Sequence, residues 1–184
     1  FNRYKFLKRL LGFYDSYNEK FNLLILDSSS QELDKSLSDY IKRNNVQYHK
    51  FDSKIFFTKK IAEGSKYIKT KYAVCCADDD FLIPSGILKS KEFLDKNPNY
   101  ASAQGLYFNH LSYNKINILR RFSLSPIYSG GRSSEEESAS ERIIAYLEDL
   151  TVHPSLYAVY RTKSFQEIWS ETNNYVSDWA FSEL

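Results

Sequence analysis

The chain has 184 residues, 42% of them hydrophobic and 26% charged, which suits one globular domain with a substantial core. Its 25 basic and 23 acidic side chains leave a formal net charge of +2, which is too balanced to attract nucleic acid by bulk electrostatics. No apolar stretch approaches the ~20 residues that a membrane span requires, so we expect no such span in this chain.

The first part of the chain alternates between helix and strand patterns. Residues 4–14 have the apolar spacing of a helix, Leu23–Leu26 form a short apolar strand, and Val46–Phe51 alternate as a second strand. Between these strands, Ser29 and Glu32 form a capping-box pattern that predicts the start of another helix.

Two further helices flank a third strand. Residues 58–69 have helical spacing and lead to the apolar run 72–77, which has the length and composition of a buried strand. Pro84 then opens a helix over about residues 87–95. Such alternation of strands and helices predicts an α/β fold with a mostly parallel sheet covered by helices.

The second half of the chain is less regular, and no linker divides the sequence, so we expect a single domain over residues 1–184. The predicted elements are strands at 101–108, 116–122 and 156–160, a loop at 123–138, a helix around Ile143 and helices at 163–171 and 176–184.

Three consecutive aspartates, Asp78, Asp79 and Asp80, directly follow the apolar run 72–77. Adjacent carboxylates at the end of a buried strand repel one another, and Mg²⁺ or Mn²⁺ would relieve that repulsion because these cations prefer oxygen ligands. In an open α/β sheet, ligands also collect at the carboxyl ends of the strands. The pattern favours a metal and phosphate site, with a solvated turn before the next helix as the alternative.

Asp27 ends the first visible strand in the same way as the triplet ends the third. If the two strands are parallel, both sets of carboxylates lie at one edge of the sheet, one contacting a base or ribose and the other holding a metal on a diphosphate. A turn or helix cap is the alternative for Asp27. Lys59 and Lys60 begin the helix that leads to the third strand and can neutralise a diphosphate, although a surface pair is the commoner outcome.

Asp178 stands at the start of the last predicted helix, followed by Trp179. An acid at this position is commonly an N-cap. The alternative is a general base at the rim of the predicted nucleotide pocket.

Four segments together resemble the family 2 glycosyltransferases, an inverting, nucleotide-sugar-dependent group with the GT-A fold. These segments are Phe1–Arg3 with Phe6–Leu11, then Leu24–Ser29, then Lys60–Gly64 continuing to Ala77–Pro84, and finally Ser177–Trp179 with Glu183. The first resembles the end of the family's first strand and its opening helix. Because that strand is nearly missing and the chain begins at Phe1 without any Met, we expect the first strand to be truncated and the start of the protein to lie upstream.

The resemblance implies three sets of site residues: nucleotide contacts at Asp27, Ser29, Lys60, Asp78 and Asp79, metal ligands at Asp78 and Asp80, and a catalytic base at Asp178. Two departures from the family pattern leave questions open. Asp27 is followed by Ser rather than a second acid, and the triplet leaves the D-x-D register open between Asp78 with Asp80 and a frame centred on Asp79.

The activity implied by the resemblance is a metal-dependent transfer of a sugar, with inversion, from a nucleotide-diphosphate donor to a hydroxyl of a saccharide or lipid-linked acceptor. Residues 1–100 would bind the donor and residues 101–184 would face the acceptor, in a protein of the cytoplasm or the inner face of its membrane. Two alternatives stay open: a sugar-phosphate nucleotidyltransferase, and a non-catalytic module that binds Ca²⁺ through the aspartates.

Overall fold

The chain folds as a mixed α/β protein. The structure is a computed structural model that describes residues 1–44, 46–113, 121–126, 133–148 and 155–172. Within these ranges the elements are, in chain order, α1 Tyr4–Asp15, β1 Leu24–Asp27, α2 Lys35–Arg43, β2 Gln47–Lys50, α3 Phe57–Ser65, β3 Tyr72–Ala73, α4 Pro84–Lys96, β4 Ser102–Ala103, β5 Phe108–Tyr113, β6 Arg121–Pro126, α5 Ala139–Glu148, a 3-10 helix Ser155–Tyr157, β7 Val159–Arg161 and α6 Thr162–Thr172.

Two compact units make up the chain. The first unit combines Phe1–Gln104 with the stretch that begins at Leu156, and the second unit is Gly105–Ser155. All predicted site residues that the structure describes lie in the first unit.

The first unit contains one parallel strand pair, β1 with β2, in which Leu24 lies opposite Gln47 and Asp27 lies opposite Lys50. The helices α1 and α2 pack beside this pair, and Leu11, Leu37 and Ile41 form a buried cluster between them. This pair is the part of the predicted parallel sheet that the described strands contain.

The helix α2 begins later than the capping-box pattern predicts. Its N-cap is Asp34, whose Oδ1 accepts a hydrogen bond of 3.0 Å from the Leu37 amide. The predicted cap at Ser29 and Glu32 is therefore wrong, because Ser29 is committed to the turn after β1, where its amide donates to Asp27 Oδ1.

In the part of the chain that the structure describes, β3 does not share a sheet with β1, so the expectation that these two strands are parallel and end at one edge of the same sheet is wrong. β3 pairs with β7 in antiparallel fashion, and β7 also pairs with β4, so β7 is the middle strand of this small sheet. Only Tyr72–Ala73 of the predicted strand 72–77 join the ladder. Among the described strands, a parallel arrangement is therefore limited to β1 and β2, because β7 arrives from far along the chain and takes the place next to β3.

A second core cluster lies between α3 and α6 in the first unit. Ile61 and Ala62 of α3 pack with Phe165 and Trp169 of α6 and with Ala73 of β3. Side chains such as Ile61 and Phe165 each contribute about 1.5–3 kcal/mol when fully buried, so α6 is an integral part of the first unit.

One close approach fixes α3 against β1. A Cβ atom added to Gly64 would lie 2.2 Å from Leu26 Cδ1 and 2.5 Å from Leu26 Cδ2. Glycine therefore lets this helix contact the strand that ends in Asp27.

Arg161 of β7 secures the end of α4. Its Nη2 donates to the Leu94 carbonyl at 2.7 Å and to the Asn97 carbonyl at 3.1 Å, and its Nε donates to the Tyr100 carbonyl at 2.8 Å. A guanidinium suits this place because the last carbonyls of a helix lack partners within the helix and carry partial negative charge.

The second unit contains an antiparallel hairpin and a helix. β5 pairs with β6, with Phe108 opposite Pro126 and Tyr113 opposite Arg121. The hairpin differs from the predicted strands at 101–108 and 116–122, because β5 begins only at Phe108 and β6 extends to Pro126, within the predicted loop 123–138. α5 starts at a capping box in which Ser138 and Glu141 exchange side-chain and amide hydrogen bonds.

Within the described ranges the longest helix, α4, has 13 residues. None of the helices there has the length and apolar character needed to cross a bilayer.

Candidate functional site at the ends of β1 and β3

Asp27 is a buried carboxylate at the carboxyl end of β1, with 7% of its surface exposed. Its Oδ2 accepts hydrogen bonds of 2.7 Å from the Tyr4 hydroxyl, 2.7 Å from the Tyr48 hydroxyl and 3.1 Å from Lys50 Nζ. Its Oδ1 accepts a bond of 2.7 Å from the Ser29 amide. A buried carboxylate requires such donors, because without them its charge would be very costly to bury.

These donors determine the charge state of Asp27. Burial alone would raise its pKa, but the hydrogen bonds from Ser29, Tyr48 and Tyr4 outweigh burial and hold the pKa of Asp27 well below its usual range. Burial and the nearby carboxylate together raise the pKa of Tyr48. Asp27 therefore stays ionised, and Tyr48 stays a hydrogen-bond donor, at any physiological pH.

The turn after β1, which we call the serine loop (residues 28–31), is anchored to the start of the chain. Asn2 Oδ1 accepts hydrogen bonds from the Ser30 amide at 3.0 Å and the Gln31 amide at 3.3 Å, while the Asn2 amide donates to Ser29 Oγ at 2.9 Å. Asn2 adopts a left-handed backbone conformation with φ 54°, which asparagine tolerates better than most residues.

Lys60 lies in the first turn of α3 and reaches the serine loop, where its Nζ donates to Ser28 Oγ at 3.0 Å. Burial lowers the pKa of Lys60, and the charges of Asp27 and Asp78 oppose that effect. The ammonium group therefore lies within electrostatic range of both predicted carboxylate sites.

The residues Asp78–Asp80, which we call the acidic segment, are bound on one side by Arg3. Arg3 Nη2 lies 3.2 Å from Asp78 Oδ1 and 2.5 Å from Asp79 Oδ2. Arg9 Nη2 adds a hydrogen bond of 2.8 Å to the Asp79 carbonyl. The hydrogen bond from Arg3 lowers the pKa of Asp79, against a smaller opposing effect of burial.

Asp80 has a different partner. The Tyr157 hydroxyl donates to Asp80 Oδ2 at 2.5 Å. Burial and this contact with a carboxylate raise the pKa of Tyr157, so the hydroxyl keeps its proton and remains a donor. Tyr157 uses Oδ2, and no other side chain among the described residues makes a hydrogen bond to the Asp80 carboxylate.

The donor set of the acidic segment suits a hard cation, since all three side chains offer carboxylate oxygens. The described residues contain no group of three or more His, Cys, Asp or Glu side chains arranged to hold a metal by themselves. Mg²⁺ and Mn²⁺ sites on nucleotides need only one or two protein carboxylates, because substrate phosphates complete the coordination shell. The predicted ligands Asp78 and Asp80 would supply two such carboxylates.

The structure brings five of the predicted site residues into one neighbourhood. Asn2 and Arg3 connect Asp27 and Ser29 to Asp78 and Asp79. Lys60 donates to Ser28, and the charges of Asp27 and Asp78 affect its pKa. Asp80 adjoins them but contacts Tyr157 instead. The predicted base Asp178, and Glu183 beyond it, lie outside the described residues.

The sequence patterns indicate no site role for Arg3, for Tyr157 or for the side chains that donate to Asp27, which are those of Tyr4, Tyr48 and Lys50. Arg3 stands in the segment Phe1–Arg3, which contributed to the family resemblance, but nothing local indicates that its guanidinium reaches Asp78 and Asp79. Tyr157 contacts a residue that is distant in the sequence, and no periodic pattern reports such a contact.

Comparisons of the chain with models of protein families, with curated proteins and with solved structures give no match. The functional interpretation therefore depends on the geometry of these residues.

Proposed function

We propose that this chain is the donor-binding part of a metal-dependent, inverting glycosyltransferase of the GT-A type, as its sequence resemblance implies. One observation carries the proposal: the adjacent residues Asn2 and Arg3 connect the serine loop at the end of β1 to the acidic segment, and Lys60 donates to the same loop. Carboxylates and cations gathered after strands that end at a common site are what a nucleotide diphosphate with a divalent cation requires.

In this proposal Lys60 attracts the diphosphate of the donor. Its ammonium is half-buried and close to Ser28, where a phosphate oxygen can accept charge-assisted hydrogen bonds. Desolvation strengthens such an interaction, because a partly buried cation has lost some of its water already.

Asp80 and Asp78 would hold Mg²⁺ or Mn²⁺, which when bound offsets the charge that develops on the leaving diphosphate. Tyr157 holds the Asp80 carboxylate through Oδ2 and so orients its other oxygen.

Asp27 is buried next to the serine loop and supports that loop through a hydrogen bond. The sequence suggests a direct contact between Asp27 and the nucleotide, and that contact remains a prediction. The four donors around the buried carboxylate favour a positioning role, in which Asp27 fixes Ser29 and the serine loop while loop atoms face the nucleotide.

The acceptor in this proposal is a hydroxyl of a saccharide or lipid-linked sugar, and Asp178 is the base that deprotonates it. Asp178→Asn should then lower the transfer rate about 10²–10⁴-fold and leave donor binding nearly unchanged. Near-wild-type transfer by this variant would assign Asp178 a helix-capping role.

Calorimetric titration with a panel of nucleoside diphosphates, with and without Mn²⁺, tests the proposal. We expect Mn²⁺-dependent binding, weakened at least about tenfold in Asp80→Asn, since this substitution removes a metal ligand but keeps an acceptor for Tyr157. Asp39→Asn is a matched control, because Asp39 is an exposed acid on α2 and loses the same charge.

Other outcomes of the titration would favour the alternatives. Tight binding of nucleoside triphosphates with sugar phosphate, rather than diphosphates, would indicate a nucleotidyltransferase. Binding of Ca²⁺ without any nucleotide would indicate a non-catalytic calcium module. Either result contradicts the proposed function.

A further inference from the structure

Arg3 occupies the position where a cation would neutralise the acidic segment. One guanidinium nitrogen contacts carboxylate oxygens of both Asp78 and Asp79. A guanidinium and a divalent metal ion satisfy the same need of these carboxylates, which is a nearby positive charge with direct contacts to oxygen. Both cannot take the same oxygen atoms at once.

The position of Arg3 is set by its neighbours on both sides in the sequence. Asn2 is held to the serine loop by its amide and its side-chain oxygen. After Arg3 the chain enters α1, and the Arg3 carbonyl accepts the first helical hydrogen bonds from Phe6 and Leu7. The guanidinium carbon also lies 4.7 Å from the centre of the Phe6 ring. The anchored backbone on both sides of Arg3 and the cation–π contact with Phe6 together hold the guanidinium next to the acidic segment.

From this arrangement we infer that Arg3 is an internal counter-cation that competes with the divalent metal for Asp78, while it also holds the neighbouring Asp79 carboxylate. Metal loading then requires the guanidinium to release the Asp78 carboxylate, and the affinity of the free chain for metal is kept lower than the three aspartates alone would give. The inference depends on the proposed function, in that the acidic segment is taken to be the metal site.

The test compares Mn²⁺ affinity, without nucleotide, between the wild-type chain and Arg3→Gln, by calorimetry or by the electron paramagnetic resonance signal of free Mn²⁺. Removing one positive charge next to a bound divalent ion should tighten Mn²⁺ binding roughly 3- to 30-fold, with the lower end set by solvent screening. The helical hydrogen bonds use the backbone of Arg3, so the substitution leaves them in place, and circular dichroism verifies the fold.

Two further variants distinguish the loss of the Arg3 contact with the carboxylates from a general loss of positive charge. Lys5→Gln removes the same charge from an exposed position two residues along the chain, and should change Mn²⁺ affinity less than about twofold at physiological salt. Arg3→Gln combined with Asp78→Asn should lose much of the gain, because the released carboxylate that would bind the metal is then gone.

Each result decides the inference. Equal tightening in Arg3→Gln and Lys5→Gln would overturn it, since only net charge would matter. An absence of Mn²⁺ binding in both the wild-type chain and Arg3→Gln would also overturn it, because freeing the carboxylates would then create no metal site. If Arg3→Gln alone gains Mn²⁺ affinity but no nucleoside diphosphate binds to either chain, the counter-cation role stands and the proposed glycosyltransferase function fails.

Discussion

Replacing Asp27 by Asn removes one negative charge from the centre of a buried hydrogen-bond network. The carboxylate accepts from two tyrosine hydroxyls, one lysine and one amide. A hydrogen bond to a charged group contributes about 1.5–3 kcal/mol, against about 0.5–1.5 kcal/mol for a neutral one, so each retained bond weakens by roughly 1 kcal/mol. The Lys50 side chain is 37% exposed, so its hydrogen bond to Asp27 contributes an energy at the low end of the range for charged groups. We expect Asp27→Asn to lower the free energy of unfolding by about 2–4 kcal/mol.

The pH dependence gives the sharper test. Because the folded pKa of Asp27 is lowered, its stabilising contribution is fully present above the unfolded value of about 3.9 and is lost progressively as the pH falls below about 4. The difference in unfolding free energy between wild type and Asp27→Asn should therefore be largest from about pH 5 to 8 and shrink by pH 3. Urea titrations followed by circular dichroism at pH 7 and pH 3 measure it.

Asp39→Asn is again the control, since it removes the same formal charge from an exposed helix position. We expect it to change stability by less than about 0.5 kcal/mol. The reasoning would be refuted if Asp27→Asn were as mild as the control, or if its deficit were the same at pH 3 and pH 7. Either outcome would mean that the hydrogen bonds to Asp27 do not depend on its charge.

Three other predictions concern the same unit. Gly64→Ala should destabilise the fold by about 1–3 kcal/mol, because the new methyl group would overlap Leu26, and Leu26→Ala in the same chain should make the two losses less than additive by thermal or urea unfolding. Arg161→Ala should cost about 1–3 kcal/mol by leaving carbonyls at the end of α4 without their donor, and hydrogen exchange should show faster opening there, with equal exchange in both chains as the contrary result. Burial raises the pKa of Cys75 to about 12 and of Cys76 to about 11, so both thiols should react with Ellman's reagent slowly at pH 8 in the folded chain and quickly in urea; fast labelling of the native chain would contradict this.

The strands β1 and β2 were predictable because the patterns that identify them lie within their own residues and in the short stretch between them. Leu24 and Ile25 are apolar, the residues of β2 alternate, and a helix-forming stretch lies between the two strands. A helix between two strands favours a crossover that places them side by side. The helices α1, α3, α4 and α6 were visible for the same reason, with limits that differ by only a few residues from those predicted.

The partner of β3 was not predictable from its own residues. The apolar run 72–77 identifies a buried segment, but burial does not say which strand pairs with it. β7 lies far along the chain, and its position between β3 and β4 depends on the packing of α6 against α3.

The candidate site shows the same division between local and distant information. Asp27 was identified because the end of its strand is visible in the sequence, whereas Asp78–Asp80 follow an apolar run of which only Tyr72–Ala73 form a strand. Their partners, such as Arg3 for Asp78 and Tyr157 for Asp80, come from other elements and depend on tertiary structure. Asp27 illustrates the consequence, since its type suggested a ligand contact and its surroundings show a buried network.

The position of β7 between β3 and β4 has a consequence for how the chain folds while it is being synthesised. During synthesis β3 and β4 emerge first, and neither has its hydrogen-bonding neighbour until the residues of β7 follow. The apolar face of α3 likewise stays uncovered until α6 arrives with Phe165 and Trp169. Because the stretch Gly105–Ser155 separates these partners along the chain, the nascent N-terminal portion must wait through its translation with exposed strand edges, the state in which a growing chain is most prone to aggregate. In the folded protein the same pairing has an opposite effect. After a protease cut within Gly105–Ser155, the two peptides would stay associated, because β7 of one peptide is hydrogen-bonded to β3 and β4 of the other.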